Sequence, residues 1–505
     1  MAIGGMNKGM LLVCLVAALN CTSVGYDSAM MSSLNILDSF KEKFGITSDI
    51  QGLLTAIQNL GAIFASLFTG IMVDRIGRKG GILLAACCVL LATILHSTAN
   101  TRAQFFVARI VVGFAKAFDI ASVPAYLAEL APPNRRGFVG GLYWACWTLG
   151  SIIAAAVGYG ARSVGGDWSW RLICIVMAGP ALSCILTLPF IPESPRWLIA
   201  RGREAEGLAI LNRFHGDGSN NSPLVTAQFR EIKEAIQMDE LSKEMTYKAW
   251  WKELKSHKSN WYRAYTLIAL SISEQTVGSS IITFFLTDVL DLAGITSENS
   301  QFAINLGQSV ASFAAALVGI CFIDRLGRVK MLVVGTAVCG VILALMAGLT
   351  AGATGVAAGR NAIVAMVFLF QISYSSTWTP LSFSYCAEIL NFTIRAKGMS
   401  FYNIVDSAAG FFNQYVIPIG FDGIGWRFYI VGVVWNIFVA VLIYFTFIET
   451  KGLTLEQVEQ RFSGVPRSEI APVIEAYDGE KPISESDLSP GQDLEQVAVK
   501  ADNKV

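Results

Sequence analysis

The sequence predicts an all-α integral membrane protein, with twelve transmembrane helices in two pseudo-symmetric six-helix bundles and a small intracellular helical domain. The first observation is composition: 53% of the 505 residues are hydrophobic and 15% are charged, against about 25% charged in soluble proteins. The second is that the apolar residues fall into runs of about 20, long enough to cross a bilayer as helices. The third is a set of charged motifs that occurs twice in the same order, which indicates a duplicated unit.

The apolar runs predict where each span lies. In order, the predicted spans cover residues 10–33, 50–73, 80–98, 103–130, 138–161, 170–191, 263–290, 301–323, 330–350, 361–386, 399–420 and 426–448. The chain thus divides into an N-terminal six-helix bundle, an intracellular helical linker, a C-terminal six-helix bundle and a mostly disordered cytoplasmic tail, at 1–192, 193–260, 261–450 and 451–505. Apolar residues recur at helical spacing in the linker, at Phe229, Ile232, Ile236 and Leu241. This spacing predicts amphipathic helices there, and the alternative is a solvated linker.

The repeated charged motifs, which we call the cassettes, follow the even-numbered spans. The first is D-R-I-G-R-K at 74–79, and its copy is D-R-L-G-R-V-K at 324–330. Two further acids recur with them, since Glu129 and Glu193 have counterparts in Glu388 and Glu449. Because the Lys and Arg residues of these loops all fall on one side, that side and both termini are predicted to be cytoplasmic.

Composition also argues against other classes of protein. Lys plus Arg and Asp plus Glu both number 38, so nucleic acid is not an expected partner. The ten cysteines lie almost wholly inside the spans, with no spacing typical of a metal site or a disulfide framework. No nucleophile, metal cluster or phosphate loop is evident, so we do not expect an enzyme.

Charged residues inside the spans are the strongest functional signal. Asp27 falls in the outer half of span one and Arg109 near the start of span four. A lone charge in hydrocarbon costs roughly 2.5–3.5 kcal/mol on insertion scales, so such residues usually face a cavity and pair. Lys116 and Asp119 are three apart on span four and are predicted to pair with each other.

These motifs resemble the sugar porter family of the major facilitator superfamily, and the resemblance covers residues from about 10 to 460. It rests on the cassettes, on P-A-Y-L-A-E-L-A-P-P-N-R-R-G at 124–137, on P-E-S-P-R-W-L at 192–198 and on E-T-K-G at 449–452. Y-W-A-C-W-T-L-G-S-I at 143–152 and T-W-T-P-L at 377–381 are similar to the fungal lactose-permease-like branch.

The resemblance implies alternating inward and outward states, with a substrate site between the bundles. It also implies that the cassette charges form a latch that makes and breaks; the alternative is that they only set topology and cap helices. The implied latch residues are Asp74, Arg78, Glu129, Arg136, Glu193 and Arg196 in the first half, and Asp324, Arg328, Glu388, Arg395 and Glu449 in the second.

The resemblance further implies that Asp27 and Arg109 are the proton-coupling pair of a symporter. Separating the two charges would alter the proton affinity of Asp27, which would link proton flow to the transport cycle. A static buried ion pair is the alternative. No cofactor is expected besides the proton as coupling ion.

The sugar site departs from the family pattern, because the chain has fewer amides and more aromatic side chains there. Glu274, Gln275 and Ser280 stand in the span-seven motif, while Trp144 and Ser151 replace the glutamines of span five. Phe383 and Asp406 occupy the matching positions of spans ten and eleven. Trp144 and Trp147 could stack on a sugar ring or pack in lipid or the core.

The sequence therefore predicts a fungal plasma-membrane carrier that imports a mono- or disaccharide by proton symport. Its expected partners are the sugar, protons and the lipid bilayer, and it is expected to work as a monomer. A facilitative uniporter, an exporter of another small metabolite and a non-transporting sugar sensor remain open as alternatives.

Overall fold

The computed structural model describes residues 8–132, 136–215, 223–243, 258–390, 395–451 and 461–462. All the helices described below belong to one compact unit, residues 1–452. The predicted disordered tail, apart from 451 and 461–462, lies outside the described residues, as does the linker segment 244–257.

The first half of the chain is built from long apolar helices, because uninterrupted runs of Leu, Ile, Val, Ala and Gly satisfy all backbone hydrogen bonds within the helix. These helices, with one short helix after the first span, are α1 Lys8–Ile36, α2 Asp38–Phe44, α3 Ser48–Ser97, α4 Arg102–Leu130, α5 Arg136–Ala161, α6 Gly166–Val176 and α7 Ala178–Thr187. A short 3₁₀ turn, Leu188–Phe190, follows α7.

Three shorter helices occupy the linker, and the second half then repeats the pattern of long apolar helices. The linker helices are α8 Pro195–Ala200, α9 Glu204–His215 and α10 Pro223–Lys243. The helices of the second half are α11 Lys258–Thr276, α12 Ser279–Leu292, α13 Glu298–Leu326, α14 Arg328–Gly352, α15 Ala357–Ile389, α16 Arg395–Ile424 and α17 Phe428–Thr446.

The described helices account for twelve membrane crossings. Nine segments are long and apolar enough to span a bilayer within the described residues, and two of them, Ser48–Ser97 and Gly398–Thr446, are 50 and 49 residues long. Each of those two carries two crossings of about 20 residues. The 29-residue α4 supplies a further crossing, although its charged residues lower its hydropathy. The twelve predicted spans are thereby confirmed.

Predicted spans two and three differ from the structure in one respect, because α3 continues through the first cassette. The two crossings meet at a kink at Gly77, whose φ of 86° and ψ of 170° lie outside the helical region. A residue with a side chain rarely adopts such a positive φ, so glycine permits the turn here. We call the end of the bundle that holds the cassettes the cassette end, and the opposite end the far end.

Close packing of α1 against α5 depends on small residues. A side chain at Gly25 would overlap the carbonyl oxygen of Trp147, and one at Gly150 would overlap that of Thr22. In a bilayer, helices associate through such close backbone contact, because the hydrophobic effect does not drive apolar helices together. α3 packs against α4 in the same way, since a side chain at Gly113 would overlap the carbonyl oxygen of Gln58.

Polar side chains join the two halves toward the far end. Gln51 of α3 donates to the Asp288 carboxylate at 3.0 Å, and Asn59 of α3 donates to the Gln414 side-chain oxygen at 3.0 Å. These bonds satisfy polar groups that would otherwise be costly at this depth.

The linker helices form a small apolar cluster of their own. Ile199, Leu211 and Val225 are buried together, and the partly buried side chains packed against them include Phe229, Ile232 and Ile236. The amphipathic helix predicted for this region is confirmed over α10, although the side chain of Leu241 lies outside the described residues.

The packing of α5 gives a matched pair of substitutions. Gly150→Ala should lower the free energy of unfolding by about 1–3 kcal/mol, because the added methyl group forces α5 away from α1. Gly160→Ala on the same helix has no neighbouring atom within 4 Å and should leave stability unchanged or raised by up to about 1 kcal/mol. Thermal unfolding in detergent compares them, and equal melting temperatures would contradict the packing argument.

Candidate functional site

A buried ion pair links α1 and α4 in the first half. The Arg109 Nη1 atom lies 2.7 Å from the Asp27 Oδ1 atom, and the two side chains are 0% and 4% exposed. Arg109 Nε also donates to the Leu54 carbonyl oxygen of α3 at 3.1 Å. The structure therefore brings together the two charges that the sequence singles out inside the spans.

Next to this pair is a small cavity, about large enough for one water molecule. Its polar wall is formed by side chains of α1, α3 and α4: Ser23, Asp27, Ser28, Gln58 and Lys116. The pair is thus shielded from lipid and adjoins a polar space, which is where charged residues inside a membrane are usually found.

The predicted pair between Lys116 and Asp119 is wrong. The Asp119 carboxylate accepts from the Asn20 amide at 2.5 Å and from the Tyr143 hydroxyl at 2.7 Å, both on neighbouring helices. Lys116 instead lines the cavity beside Asp27. Spacing along one helix allowed the pair, but donors from α1 and α5 already satisfy Asp119.

The span-seven region is a broken helix rather than one continuous span. α11 ends at Thr276, and α12 begins after Gly278, which has a φ of 112°. Side chains satisfy the freed carbonyl groups: Asn436 donates to the Val277 carbonyl oxygen at 3.0 Å, and Tyr374 donates to the Glu274 carbonyl oxygen at 3.3 Å. Broken spans of this kind are where transporters commonly place their binding sites.

Two acids predicted to bind substrate lie beside the break. The Gln275 amide donates to Asp406 Oδ1 at 2.8 Å, and the Tyr402 hydroxyl is hydrogen bonded to Glu274 Oε2. Both acids are partly accessible, although they lie deep in the protein by their positions along α11 and α16. Glu274, Gln275 and Asp406 thus form one polar cluster; Tyr402 is a member of it that the sequence analysis missed.

The remaining substrate-binding predictions lie on several helices. Trp144 and Trp147 are neighbours on α5, with ring centroids 6.5 Å apart, and both are partly exposed. The Ser151 hydroxyl donates to the Gly25 carbonyl oxygen at 3.4 Å. Ser280 is only 3% exposed, and the side chain of Phe383 lies outside the described residues. The binding role of these residues stays a prediction.

The first cassette is the centre of a charged network. Arg78 Nη1 lies 3.2 Å from Asp74 Oδ1, and Arg78 Nη2 lies 3.3 Å from Glu129 Oε1. The Ser194 hydroxyl is hydrogen bonded to the other Glu129 oxygen. Arg78 of α3 therefore binds Glu129 of α4. Because Glu129 also binds Ser194, both helices are joined to the start of the linker.

The side chain of Glu193 binds the backbone of the same cassette. Its carboxylate accepts from the backbone N–H groups of Arg78 at 3.1 Å and of Lys79 at 3.2 Å, at the helical turn that begins after Gly77. Carboxylates are stabilised at this end of a helix by unpaired N–H groups and by the helix dipole. Burial raises the pKa of the Glu193 carboxyl, and these N–H groups act in the opposite direction.

The second half repeats the main contacts of this network. Arg328 Nη2 lies 2.9 Å from Glu388 Oε1, and the Thr450 hydroxyl donates to Glu388 Oε2 at 2.5 Å. Glu449 accepts from the backbone N–H groups of Arg328 at 2.9 Å and of Val329 at 3.1 Å, after a glycine whose φ is 96°. The arginine and the two glutamates that recur in the sequence thus make corresponding contacts in the two halves.

Two tyrosines complete these networks, and the sequence analysis missed them. The Tyr126 hydroxyl donates to the Pro192 carbonyl oxygen at 2.6 Å, and Tyr385 donates to the Ile448 carbonyl oxygen at 2.9 Å. Each fixes the residue immediately before the acid that caps the cassette. The signal was present, since each tyrosine stands three residues before the network glutamate, Glu129 or Glu388.

As described, these contacts join helices within one half. A latch between the halves therefore stays a prediction. Arg196 lies on α8 and is partly buried. The side chains of Arg136, Asp324 and Arg395 lie outside the described residues.

Comparison with known proteins gives one family over nearly the whole chain. A model of the family described as "Sugar (and other) transporter" matches residues 13–462. The MFS-type transporter criB of Aspergillus cristatus is 30% identical over 90% of this chain and 94% of its own. The high-affinity glucose transporter of Kluyveromyces lactis is 27% identical over 88% of this chain and 83% of its own.

Solved structures share the fold. The xylose transporter XylE from E. coli, in a partially occluded inward-open conformation, superposes with a TM-score of 0.74 at 20% identity, covering 89% of this chain and all of that one. The proton:xylose symporter XylE bound to 6-bromo-6-deoxy-D-glucose gives 0.73 at 21% identity, over 90% and 99% of the two chains.

The capped cassette yields a test with a matched glycine. Gly77→Ala places a methyl group against the Glu193 carboxylate at a positive φ, whereas Gly202→Ala has a φ of 77° but no atom within 4 Å. The control should cost about 1–2 kcal/mol from backbone strain alone. Gly77→Ala should cost more, because its φ of 86° and ψ of 170° are nearly confined to glycine and the methyl group also displaces the cap. Thermal unfolding in detergent measures both; equal losses would show that the cap contributes nothing.

Proposed function

Because the chain belongs to the sugar (and other) transporter family, we propose that it imports a mono- or disaccharide by proton symport with alternating access. The family resemblance and the major facilitator fold expected from the cassettes are confirmed by the family match and the solved structures. The protein is a multi-pass membrane transporter and not an enzyme. The high-affinity glucose transporters among its relatives support a sugar as the substrate.

The buried Asp27–Arg109 pair supports proton coupling. Arg109 is fully buried, so the charge of Asp27 is what makes its burial tolerable. When Asp27 takes up a proton, the pair loses its Coulomb attraction, and the helices α1 and α4 that carry it are free to adopt another arrangement. Proton binding and conformation are then linked through one carboxyl group.

The energetics make such coupling useful. One proton moving down a potential of about 100 mV releases roughly 2.3 kcal/mol, and a tenfold proton gradient adds roughly 1.4 kcal/mol. Together these allow a neutral solute to be concentrated by about a few hundredfold. A uniporter, by contrast, would only equalise the solute concentrations on the two sides of the membrane.

The polar cluster at the break in span seven is the proposed sugar contact. Glu274, Gln275 and Asp406 offer directional hydrogen-bond acceptors and donors for hydroxyl groups, which is the chemistry that a sugar needs. Trp144 and Phe383 would supply apolar ring faces, with Ser151 and Ser280 as further polar contacts. We include all seven residues in the proposal.

The remaining features of the proposal concern placement. The cassette end faces the cytoplasm, with both termini on that side, by the positive-inside rule. The membrane is the plasma membrane, the working unit is the monomer, and the cassette charges release and re-form as the two halves move.

The substrate and the mode of transport are tested together in yeast that lack their own sugar carriers and express this chain. Glucose, galactose, xylose, lactose and cellobiose are offered in turn, and the external pH is recorded. Alkalinisation with one sugar establishes symport and names the substrate class. Uptake of labelled sugar without a pH change would indicate a uniporter, and no uptake of any would overturn sugar import.

The role of Asp27 is tested in proteoliposomes. Asp27→Asn should abolish accumulation of the sugar against a gradient, because the coupling carboxyl is lost, while sugar exchange under equal concentrations persists. Asp49→Asn, an acid at the exposed start of α3, serves as the control and should accumulate normally. Accumulation by Asp27→Asn at the wild-type level would contradict the assignment.

A further inference from the structure

Asp119 is a buried acid of the first half that the proposed mechanism does not use. It is 2% exposed on α4, and its carboxyl oxygens are bonded to the Asn20 amide of α1 at 2.5 Å and to the Tyr143 hydroxyl of α5 at 2.7 Å. Both partners are neutral side chains. Within the described residues, Asp119 has no ion-pair partner, so a negative charge on it would be uncompensated.

The two buried acids of the first half therefore differ in their charge balance. The Asp27 carboxylate lies 2.7 Å from the Arg109 guanidinium, whereas Asp119 has only neutral partners. Burying an unpaired carboxylate costs far more than burying a neutral acid, so such a group takes up a proton instead. A hydroxyl group can donate or accept, so Tyr143 suits either form of the acid.

The titratable groups that face Asp119 from other helices, among those that the structure describes, are neutral as well. They are Cys21 of α1, Tyr143 of α5 and Cys184 of α7, and thiols and phenols are uncharged near neutral pH. Lys116 stands three residues earlier on α4, but it lines the cavity beside Asp27 and forms no ion pair with Asp119 in the described structure.

Asp119 lies between Asp27 and the cassette end. On α4 it follows Arg109 by ten residues and precedes Glu129 by ten, about 15 Å each way along the helix axis. On α1 its partner Asn20 precedes Asp27 by seven residues, so the two share a helix face. The contacts of the two acids thus join α1 to α4 at two levels, and Asp119 is at the level nearer the cassette end.

The water-sized cavity lies between these two levels. It is lined by Val112, Ala115 and Lys116 of α4, which all stand between Arg109 and Asp119 in that helix. A polar space of this size can hold a water molecule. Chains of buried acids and polar groups of this kind carry protons through membrane proteins.

We propose that Asp119 is a second proton-binding site of the first half, which receives the proton of Asp27 on its way to the cassette end. In this transfer the O–H bond of Asp27 breaks and one forms on Asp119. Asp27 becomes the carboxylate that pairs with Arg109, and the total charge is unchanged. The structure, with Asp27 paired and Asp119 among neutral groups, corresponds to the state after the transfer. The route rests on the proposed function, whereas the proton on Asp119 does not.

Infrared difference spectroscopy on the full chain in detergent at neutral pH locates the proton without any sugar. Wild type minus Asp119→Asn should show the carbonyl band of a protonated carboxyl group. Tyr143→Phe should shift that band, because the acid loses a hydrogen bond, and should not remove it. Asp49→Asn, at an exposed position, is the control and should leave it unchanged.

Two spectroscopic results would disprove the proton on Asp119. One is an Asp119→Asn variant that elutes as a folded monodisperse protein and lacks no carboxyl band. The other is a Tyr143→Phe variant whose carboxyl bands are identical to those of wild type, and this test does not depend on the folding of the first variant.

Transport in proteoliposomes tests the route. Asp119→Asn should lose accumulation of sugar against a gradient, because the proton of Asp27 has no acceptor toward the cassette end, while exchange at equal concentrations persists. Asp119→Glu, which keeps an acid, should restore accumulation. Wild-type accumulation by Asp119→Asn would overturn the route. Wild-type accumulation by Asp27→Asn would instead refute the proposed function, and the spectra of Asp119 would stand.

Discussion

The cost of burying charge in a membrane is the constraint on which the rest of this structure depends. Arg109 is completely buried, and its partner Asp27 lies 2.7 Å away. Removing either partner would leave an uncompensated buried charge. The helices that carry the pair are therefore held in a fixed relation for as long as both groups are charged. In the proposed mechanism, protonation of Asp27 releases them.

The same cost of burying charge explains where the two charged networks lie. At the cassette end, Arg78 and Arg328 meet glutamates of neighbouring helices, and Glu193 and Glu449 cap the turn after a glycine of positive φ. Charge is kept at the helix ends, where partial solvation lowers its cost. These contacts tie the helices of each half to one another.

The halves are alike in these networks but unlike at mid-membrane. The first half pairs an acid with an arginine, while in the second half Glu274 and Asp406 are hydrogen bonded to the neutral side chains of Tyr402 and Gln275. A duplicated fold can diverge in this way because the cassettes keep the backbone in place while the centre of each bundle changes.

The sequence by itself determined the twelve spans, the duplication and the identity of the charged residues, because these depend on local hydropathy and spacing. Tertiary structure decided the partners. Asp119 is bonded to Asn20 and Tyr143 rather than to Lys116, and Tyr126 reaches the Pro192 carbonyl group. Helical spacing fixes which residues share a face of one helix. The choice of donor for a buried acid is made between helices, since it depends on which neighbours the packing of small residues brings within hydrogen-bond distance.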